Sequence, residues 1–549
     1  MASWQEKAKA KRESVLNSIP KEWILDTIPT PEECPNANVF LDNYLPDEEN
    51  SITHSTALGL VNKILNKELT SYEITKAFCH RTAILHQLTN CCSEIFFEKA
   101  YKKANELDQY FTETGKLIGK FHGIPVSLKD QFNLEGIDSA IGYISLLNKP
   151  KKLEDTSKLA IILENAGCIF FCKSTTPMAM MADVTNSNIY GETVNSINRK
   201  LSCGGSSGGE GAIVGGRGAL IGFGTDIGGS IRTPSAFQGI YGLRGSSNRL
   251  PYCKISNSFE FQPVLSSVVG PMCQDLKDLK EITKLIIDSK PWLVDPRVPP
   301  IEWRESSLAS QGKLSFGVMK WNKINHPHPP VVRTMELVVE SLKAKGHEVI
   351  EWDPPVSTVE LAQVAFDVFG SDGYEEVVEM CAQSGEPIVP EILSIAKESD
   401  LPKGCDNLHD HWDQARRRYE YQQIIDNYWQ ETANRTSTGR PIDGLITPVW
   451  DCCSFKTKDV SNYIGDYVAP INVLDYTVCI APVTKVDKKI DVVDNSFEFL
   501  SAQDKKIHDL YDPELYDGTP SGVQVIAPRY QEETAIELCE IVMECCTGN

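Results

Sequence analysis

Apolar and polar positions along the chain follow two periods, which predict helices and strands in alternation. Short apolar runs bounded by turn residues indicate strands at 121–128, 168–171, from 243 onward, and at 315–319, 445–449, 478–483 and 523–526. Apolar residues at helical spacing indicate helices from about 55, and over 71–88, 156–166, 331–345 and 531–545. Elements that alternate in this way predict an α/β layered fold.

The chain is predicted to form one large domain preceded by an arm. Residues 1–50 indicate a helical arm with a proline-rich lead-in, and residues 51–549 form the domain. A length of 549 residues would allow three or four domains of average size. We find no internal repeat and no low-complexity linker, so nothing in the sequence requires such a division.

Charge and composition argue against nucleic-acid binding, membrane association and secretion. The chain has 54 Lys and Arg against 75 Asp and Glu, a net charge of −21, which disfavours nucleic acid or an anionic membrane as a partner. Met1–Ser18 is charged, with no secretory h-region, and no apolar run reaches the roughly 18 residues of a membrane span. We therefore expect a cytoplasmic protein whose 17 cysteines are reduced.

Glycine is concentrated in one segment. Of the 37 glycines, 15 lie in the 42 residues from Gly204 to Gly245, so the backbone there turns tightly or approaches a ligand. A P-loop is excluded because no lysine lies between Lys200 and Lys254. A dinucleotide fingerprint is excluded because the glycine after Gly222 and Gly224 comes one residue too late. Tight packing of a small-residue helix remains an alternative to catalysis.

Serines within this segment suggest nucleophilic chemistry, in which backbone N–H groups stabilise an oxyanion. No histidine occurs between His122 and His326, although a distant histidine could fold into such a site. A buried lysine is the other candidate base, since burial favours the neutral amine. Lys129 ends an apolar run, where a buried lysine would be placed, although a lysine there is often a surface residue.

The combined motifs resemble the amidase signature family. They comprise Gly123-Ile-Pro-Val-Ser-Leu-Lys129, Gly204-Gly-Ser-Ser-Gly-Gly-Glu-Gly-Ala212, and Gly224-Thr-Asp-Ile-Gly-Gly-Ser-Ile-Arg232. Ser3-Trp4 and Gln87-Leu-Thr-Asn-Cys91 resemble fungal acetamidases in particular. The family fold is a single α/β/α layered domain with a mixed, mostly parallel central sheet. One departure is Gly245, where the family usually has proline, which leaves the substrate fit open.

The resemblance implies a Ser-cisSer-Lys triad. Ser230 would be the nucleophile, Ser206 the bridging serine after a cis Gly205–Ser206 peptide, and Lys129 the base. The choice of Ser206 over Ser207 rests on the 24-residue spacing to Ser230 in the family, because the residues alone do not decide it. Ser207 and Gly205 would then be supporting residues.

Further residues are assigned to binding and support by the same resemblance. The backbone N–H groups of Ile227, Gly228, Gly229 and Ser230 would form the oxyanion hole. Met180 matches a position whose carbonyl faces substrate, although core packing explains its side chain equally well. Asp226 and Arg232 are interpreted as an ion pair or hydrogen-bonded pair that fixes the loop, and a surface pair is the alternative.

The predicted function is hydrolysis of a small, acetamide-like carboxamide to carboxylate and ammonia through an acyl-serine, without metal or organic cofactor. The small-molecule amide is the expected partner, and the resemblance also admits a homodimer. A glutaminase-type subunit of a transamidation complex is the alternative, and a non-catalytic amide-binding protein is less favoured. His409-Asp-His411 and His326-Pro-His328 are interpreted as surface residues, because neither set has a third ligand at suitable spacing.

Overall fold

The computed structural model describes residues 2–393, 404–405 and 407–547, and its α/β architecture confirms the predicted fold class. The strands are β1 (Cys92–Ile95), β2 (Pro125–Lys129), β3 (Ile169–Ser174), β4 (Asn186–Ser187), β5 (Gly191–Glu192), β6 (Ile221–Asp226), β7 (Tyr241–Arg244), β8 (Val268–Cys273), β9 (Ser315–Val318), β10 (Glu348–Glu351), β11 (Gly444–Pro448), β12 (Thr477–Lys485) and β13 (Pro520–Ala527). The α-helices are Trp4–Asn17, Ala37–Tyr44, Asp47–Thr53, Ala57–Leu65, Ser71–Thr89, Phe97–Thr114, Lys158–Asn165, Gly208–Gly215, Arg232–Gln238, Leu276–Asp288, Pro329–Ala344, Thr358–Phe369, Glu375–Ser384, Leu408–Glu431, Ala469–Leu474, Ala502–Asp509, Pro513–Tyr516 and Glu532–Thr547.

The helix Ser71–Thr89 illustrates how local sequence sets the bounds of an element. The side chain of Thr70 accepts a hydrogen bond from the backbone of Glu73, whose carboxylate accepts one from the backbone of Thr70. This capping box satisfies donors that the first turn leaves without partners. The helix ends at Thr89, and the capping residue Asn90 adopts the left-handed conformation at φ 58°. The predicted helix at 71–88 is therefore confirmed.

The described residues form one 11-stranded sheet in the order β1-β3-β2-β6-β8-β7-β12-β13-β11-β9-β10, and a separate β4–β5 pair. The prediction of a mixed sheet is confirmed, but that of a parallel majority is wrong. Six of the ten adjacent pairs described in the large sheet are antiparallel, and four are parallel. Five of the antiparallel pairs run without interruption from β6 to β11 and form the middle of the sheet, and the sixth joins β1 to β3 at one edge.

Both faces of the sheet are covered by helices, as an α/β/α arrangement requires. Successive residues of β12 point to opposite faces, because side chains alternate along a strand. Cys479 and Ala481 pack in a core cluster with the helices Leu276–Asp288, Pro329–Ala344 and Glu532–Thr547. Val478 and Ile480 belong to a second cluster that contains residues of the helices Thr358–Phe369, Leu408–Glu431 and Ala469–Leu474.

The N-terminal segment packs against the rest of the molecule. Arg12 donates to the carbonyl of Ile189 at 2.6 Å, and Lys11 forms an ion pair with Glu94. Further along, the Ala37 amide donates to the carbonyl of Ser196 at 2.9 Å. A boundary at residue 50 between arm and domain stays a prediction. None of the helices in the described part of the chain combines the length and apolarity that crossing a membrane requires.

Candidate active site

Two parallel strands bring the site to one edge of the sheet. β2 and β6 are hydrogen-bonded neighbours that run in the same direction, so their carboxyl ends meet at the same edge. β2 ends at Lys129 and β6 ends at Asp226. Open α/β sheets commonly bind their ligands beyond the carboxyl ends of such strands.

Lys129 is a buried lysine, as one of the two sequence interpretations predicted. Its side chain is fully buried, and Nζ donates to Ser206 Oγ at 2.7 Å and to Thr225 Oγ1 at 2.8 Å. Burial lowers the pKa of Lys129 to about 7, although the nearby carboxylates of Asp226 and Glu210 oppose this change. A substantial fraction of the lysine is therefore a neutral amine near neutral pH, with a lone pair available for a proton.

The two serines that the sequence could not separate have different hydrogen-bond partners. Ser206 Oγ accepts the hydrogen bond from Lys129, whereas Ser207 Oγ donates to the Thr225 carbonyl and accepts from its amide, both at 3.2 Å. Ser207 is thus held by the backbone of β6, and Ser206 faces the lysine. The Gly205–Ser206 peptide is cis. A β-carbon at Gly205 would lie 2.3 Å from the carbonyl oxygen of Ala182, so only glycine fits there.

Ser230 lies on the loop between β6 and the helix Arg232–Gln238, and together with Ser206 it lines one cavity. The Gly229 amide donates to Asp226 Oδ1 at 3.0 Å, which removes it from the predicted set of oxyanion donors. The amides of Ile227, Gly228 and Ser230 make no hydrogen bond to the described residues, and remain available to a ligand. Gly229 has φ 132°, a conformation that side-chain-bearing residues rarely adopt.

Asp226 and Arg232 form a fully buried ion pair rather than a surface pair. Arg232 Nε and Nη2 donate to the two carboxylate oxygens of Asp226, each at 3.0 Å. Arg232 also donates to the Val468 carbonyl at 2.8 Å and to Gln524 at 2.9 Å. Burial alone would raise the pKa of Asp226, but the Arg232 charge holds it well below its usual range. The pair ties the Ser230 loop to the segment at 468 and to β13.

We expect Asp226→Ala to lower the free energy of unfolding by about 3–5 kcal/mol, because it leaves the Arg232 charge buried without its partner. Urea denaturation monitored by circular dichroism measures this loss. Asp509→Ala, which removes an exposed partner of Lys505, is the matched control and should change stability little. Equal stability of the two variants would contradict the structural role of the buried pair.

The cavity in front of the serines has a volume of about 620 Å³. Met180 and Asp183 line it on the side of residues 179–183, and Met180 adopts φ 58°. A largely apolar part of the wall comes from two segments distant in sequence, which contribute Val359, Ala362, Phe366, Val368, Phe369, Val460 and Ile464. This wall was not predicted, because its residues carry no motif and reach the cavity only through folding.

Two residues near the lysine and the serines were also missed. Thr225 Oγ1 accepts from Lys129 and donates to Gln131 Oε1 at 2.6 Å, so it fixes the lysine amine from a second side. Thr225 lies within the quoted Gly-Thr-Asp motif, which was a usable signal. Asp183 is half-buried and lines the cavity, and burial together with the Asp226 charge raises its pKa to about 7. No sequence pattern pointed to it.

The histidine pairs are used in local contacts. The interpretation of His326-Pro-His328 as surface residues is wrong for His328, which is buried and whose Nε2 lies 3.0 Å from the Ile507 carbonyl. His326 is partly buried, and its Nδ1 lies 2.8 Å from Asp504. His409 and His411 belong to the solvent-facing start of the helix Leu408–Glu431. In the described residues, one further group, His86, Cys91 and Cys92, is close enough to share an ion, but it is buried in an apolar core cluster where burial raises the pKa of both thiols.

Comparison with known proteins agrees with this geometry. The family model described as Amidase matches residues 73–536. The acetamidases of Emericella nidulans and Aspergillus oryzae are 39% and 38% identical, and each match covers 98% of this chain and 98% of the relative. The solved structure of a fatty acid amide hydrolase superposes with a TM-score of 0.90 at 30% identity, covering 98% of this chain and 94% of that one. The chain therefore belongs to the amidase signature family, and it is a hydrolase that acts on amide C–N bonds.

Proposed function

We propose that this enzyme hydrolyses a monocarboxylic acid amide to carboxylate and ammonia through an acyl ester on Ser230. The observation that carries the proposal is the hydrogen bond of 2.7 Å between buried Lys129 and Ser206, within a cavity that Ser206 and Ser230 both line. A lysine whose pKa is lowered to about 7 supplies a base near neutral pH. Incubation of the purified protein with a primary amide should release ammonia and carboxylate in equal amounts.

In the acylation step, the neutral amine of Lys129 takes the proton of Ser206 as Ser206 takes the proton of Ser230. The Ser230 oxygen then attacks the amide carbonyl carbon and forms a tetrahedral intermediate. The carbonyl oxygen becomes negatively charged, and the amides of Ile227, Gly228 and Ser230 are the donors available to stabilise it.

Collapse of the intermediate requires a proton on the leaving nitrogen, because an amide anion leaves poorly. Protonated Lys129 returns its proton through Ser206 to that nitrogen, the C–N bond breaks, and ammonia departs. Water then attacks the acyl ester with the same lysine and serine acting as base. This second attack releases the carboxylate and restores the Ser230 hydroxyl.

The cavity supports a substrate with an apolar acyl group larger than acetyl. Its volume of about 620 Å³ lies within the range of roughly 300–1,000 Å³ that is typical of sites for larger ligands. Acetamide has four non-hydrogen atoms and would leave most of that space to water. The apolar wall formed by Val359, Phe366, Phe369 and Ile464 is suited to an alkyl chain. The similarity to acetamidases supports acetamide as a second substrate, smaller than the one that the cavity fits best.

We expect kcat/KM to rise along the series acetamide, butyramide, hexanamide and octanamide, by at most about fourfold for each methylene that the apolar wall buries. Val359→Trp, which narrows the cavity, should suppress the gain for octanamide more than for acetamide. Ammonia release measured across the series tests both expectations. A decrease from acetamide onward would contradict the proposal of a larger acyl group.

The alternative of a glutaminase-type subunit receives no support from the relatives described above. Their matches extend over almost the whole length of each protein, and both relatives are acetamidases. We therefore propose the stand-alone hydrolase alone.

A further inference from the structure

Asp183 is a cavity-lining carboxyl group for which the mechanism above has no use. It makes no hydrogen bond and no ion pair with any residue in the described part of the chain. Its pKa is changed only by burial and by the charges of Asp226 and Arg232. By contrast, the buried carboxylates of Asp226 and Asp475 are each paired with arginine. A partly buried carboxyl without a protein partner is suited to a hydrogen-bond donor that arrives with the ligand.

The position of Asp183 is fixed by its two neighbours in sequence. The backbone of Ala182 and Val184 packs directly on Gly205, where a β-carbon would lie 2.3 Å and 2.5 Å from their carbonyl oxygens. This segment therefore lies beside the peptide that carries Ser206. On its other side, Asp183 Oδ2 would lie 4.0 Å from a β-carbon at Gly465, another residue of the cavity wall. The segment that carries Asp183 thus lies beside the peptide of Ser206, and its carboxyl group lines the same cavity as Ser206.

The substrate atom that must come close to Ser206 is the leaving nitrogen, because Ser206 delivers its proton. A primary amide carries two N–H donors on that nitrogen, and the lone-pair side must stay free for the incoming proton. An acceptor beside Ser206 can bind one of these N–H groups and orient the nitrogen. An ester of the same acid has no such donor at the leaving atom.

We propose that Asp183 accepts a hydrogen bond from the N–H of the scissile carboxamide and thereby makes the site selective for primary amides over esters of the same acid. The inference rests on the proposed function, because it requires that Ser206 and Ser230 process the amide. Asp183 is a specificity residue in this account. It is not the base, since Lys129 takes the proton of Ser206 as Ser206 takes the proton of Ser230.

The test compares butyramide with methyl butyrate on the wild type, Asp183→Ala and Asp183→Asn. Removing an acceptor for a substrate N–H should lower kcat/KM for butyramide by about 10- to 100-fold in Asp183→Ala. Activity on methyl butyrate should stay within about threefold, because the ester has no N–H to lose. Asp183→Asn keeps an acceptor oxygen and should recover most of the selectivity. The butyramide to methyl butyrate ratio thus reports a contact that a general loss of folding would not change.

Gln363→Ala is the matched control, since Gln363 is another polar side chain of the same cavity but lies on the helix Thr358–Phe369. It should leave the amide to ester ratio unchanged. An amide to ester ratio that is the same in Asp183→Ala as in the wild type, whether or not both activities fall, would overturn the specificity role. The proposed function would remain intact. A wild-type protein that cleaves neither substrate would overturn the proposed function, and this inference with it.

Discussion

Ser230→Ala should lower kcat/KM for a primary amide by about 10⁴-fold or more. The variant removes the side-chain oxygen that forms the acyl ester with the substrate, and loss of a serine nucleophile generally has an effect of this size. Ammonia release in a coupled assay measures it. Ser230 borders the cavity and makes no side-chain hydrogen bond within the described residues, so the thermal midpoint of unfolding should change little.

The neighbouring serines provide the controls for this prediction. Ser206→Ala should also lose most of its activity, because it interrupts the path between Lys129 and Ser230. Ser207→Ala loses two hydrogen bonds to the backbone of Thr225 and should lower stability more than it lowers catalysis. If Ser207→Ala were inactive while Ser206→Ala remained active, the bridging role would belong to Ser207.

Lys129→Met should lower kcat/KM by several orders of magnitude, because Lys129 is the group that is hydrogen-bonded to Ser206 and takes its proton. In the wild type the active form is the neutral amine, and burial lowers the pKa of Lys129 to about 7. Below that pH the lysine is protonated and cannot accept the serine proton, so kcat/KM should rise as pH rises through about 7 and then level off. A pH–rate profile between pH 5 and 9 measures this.

Lys129→Arg tests whether the reaction needs the positive charge of the lysine or its ability to accept a proton. Arginine keeps a cation in the same place, but it does not lose its proton at accessible pH and cannot serve as the base. We therefore expect this variant to be nearly as inactive as Lys129→Met. An active Lys129→Arg enzyme, or a wild-type profile that falls as pH rises through 7, would show that the protonated lysine is the working form.

The sequence predicted the local elements better than their arrangement. The helix Ser71–Thr89 and the strand around Lys129 are set by periodicity and caps that lie within a few residues. The direction of each strand depends on long connections, such as the one between β12 and β13, and apolar runs carry no information about it. The expectation of mostly parallel pairs came from the family resemblance alone. The structure shows instead that the centre of the sheet is antiparallel.

The same distinction applies to the candidate site. Lys129, Ser206 and Ser230 lie in short motifs, and the structure brings the lysine and Ser206 into a hydrogen bond and both serines onto one cavity. Asp183 and the helix Thr358–Phe369 reach that cavity through packing alone. A β-carbon at Gly228 would lie 3.2 Å from Phe369, a contact between residues far apart in the chain. We therefore expect the specificity of the enzyme to depend on residues that motif analysis does not find.

Labelling with a fluorophosphonate probe, followed by peptide mass spectrometry, tests the central claim most directly. The probe forms a covalent bond with an activated serine, and we expect it to modify Ser230 in the wild type. The Ser230→Ala variant should remain unlabelled, and Lys129→Met should be labelled far more slowly. Modification of Ser206 or Ser207 instead of Ser230, or labelling that does not depend on Lys129, would contradict the proposed lysine-driven nucleophile.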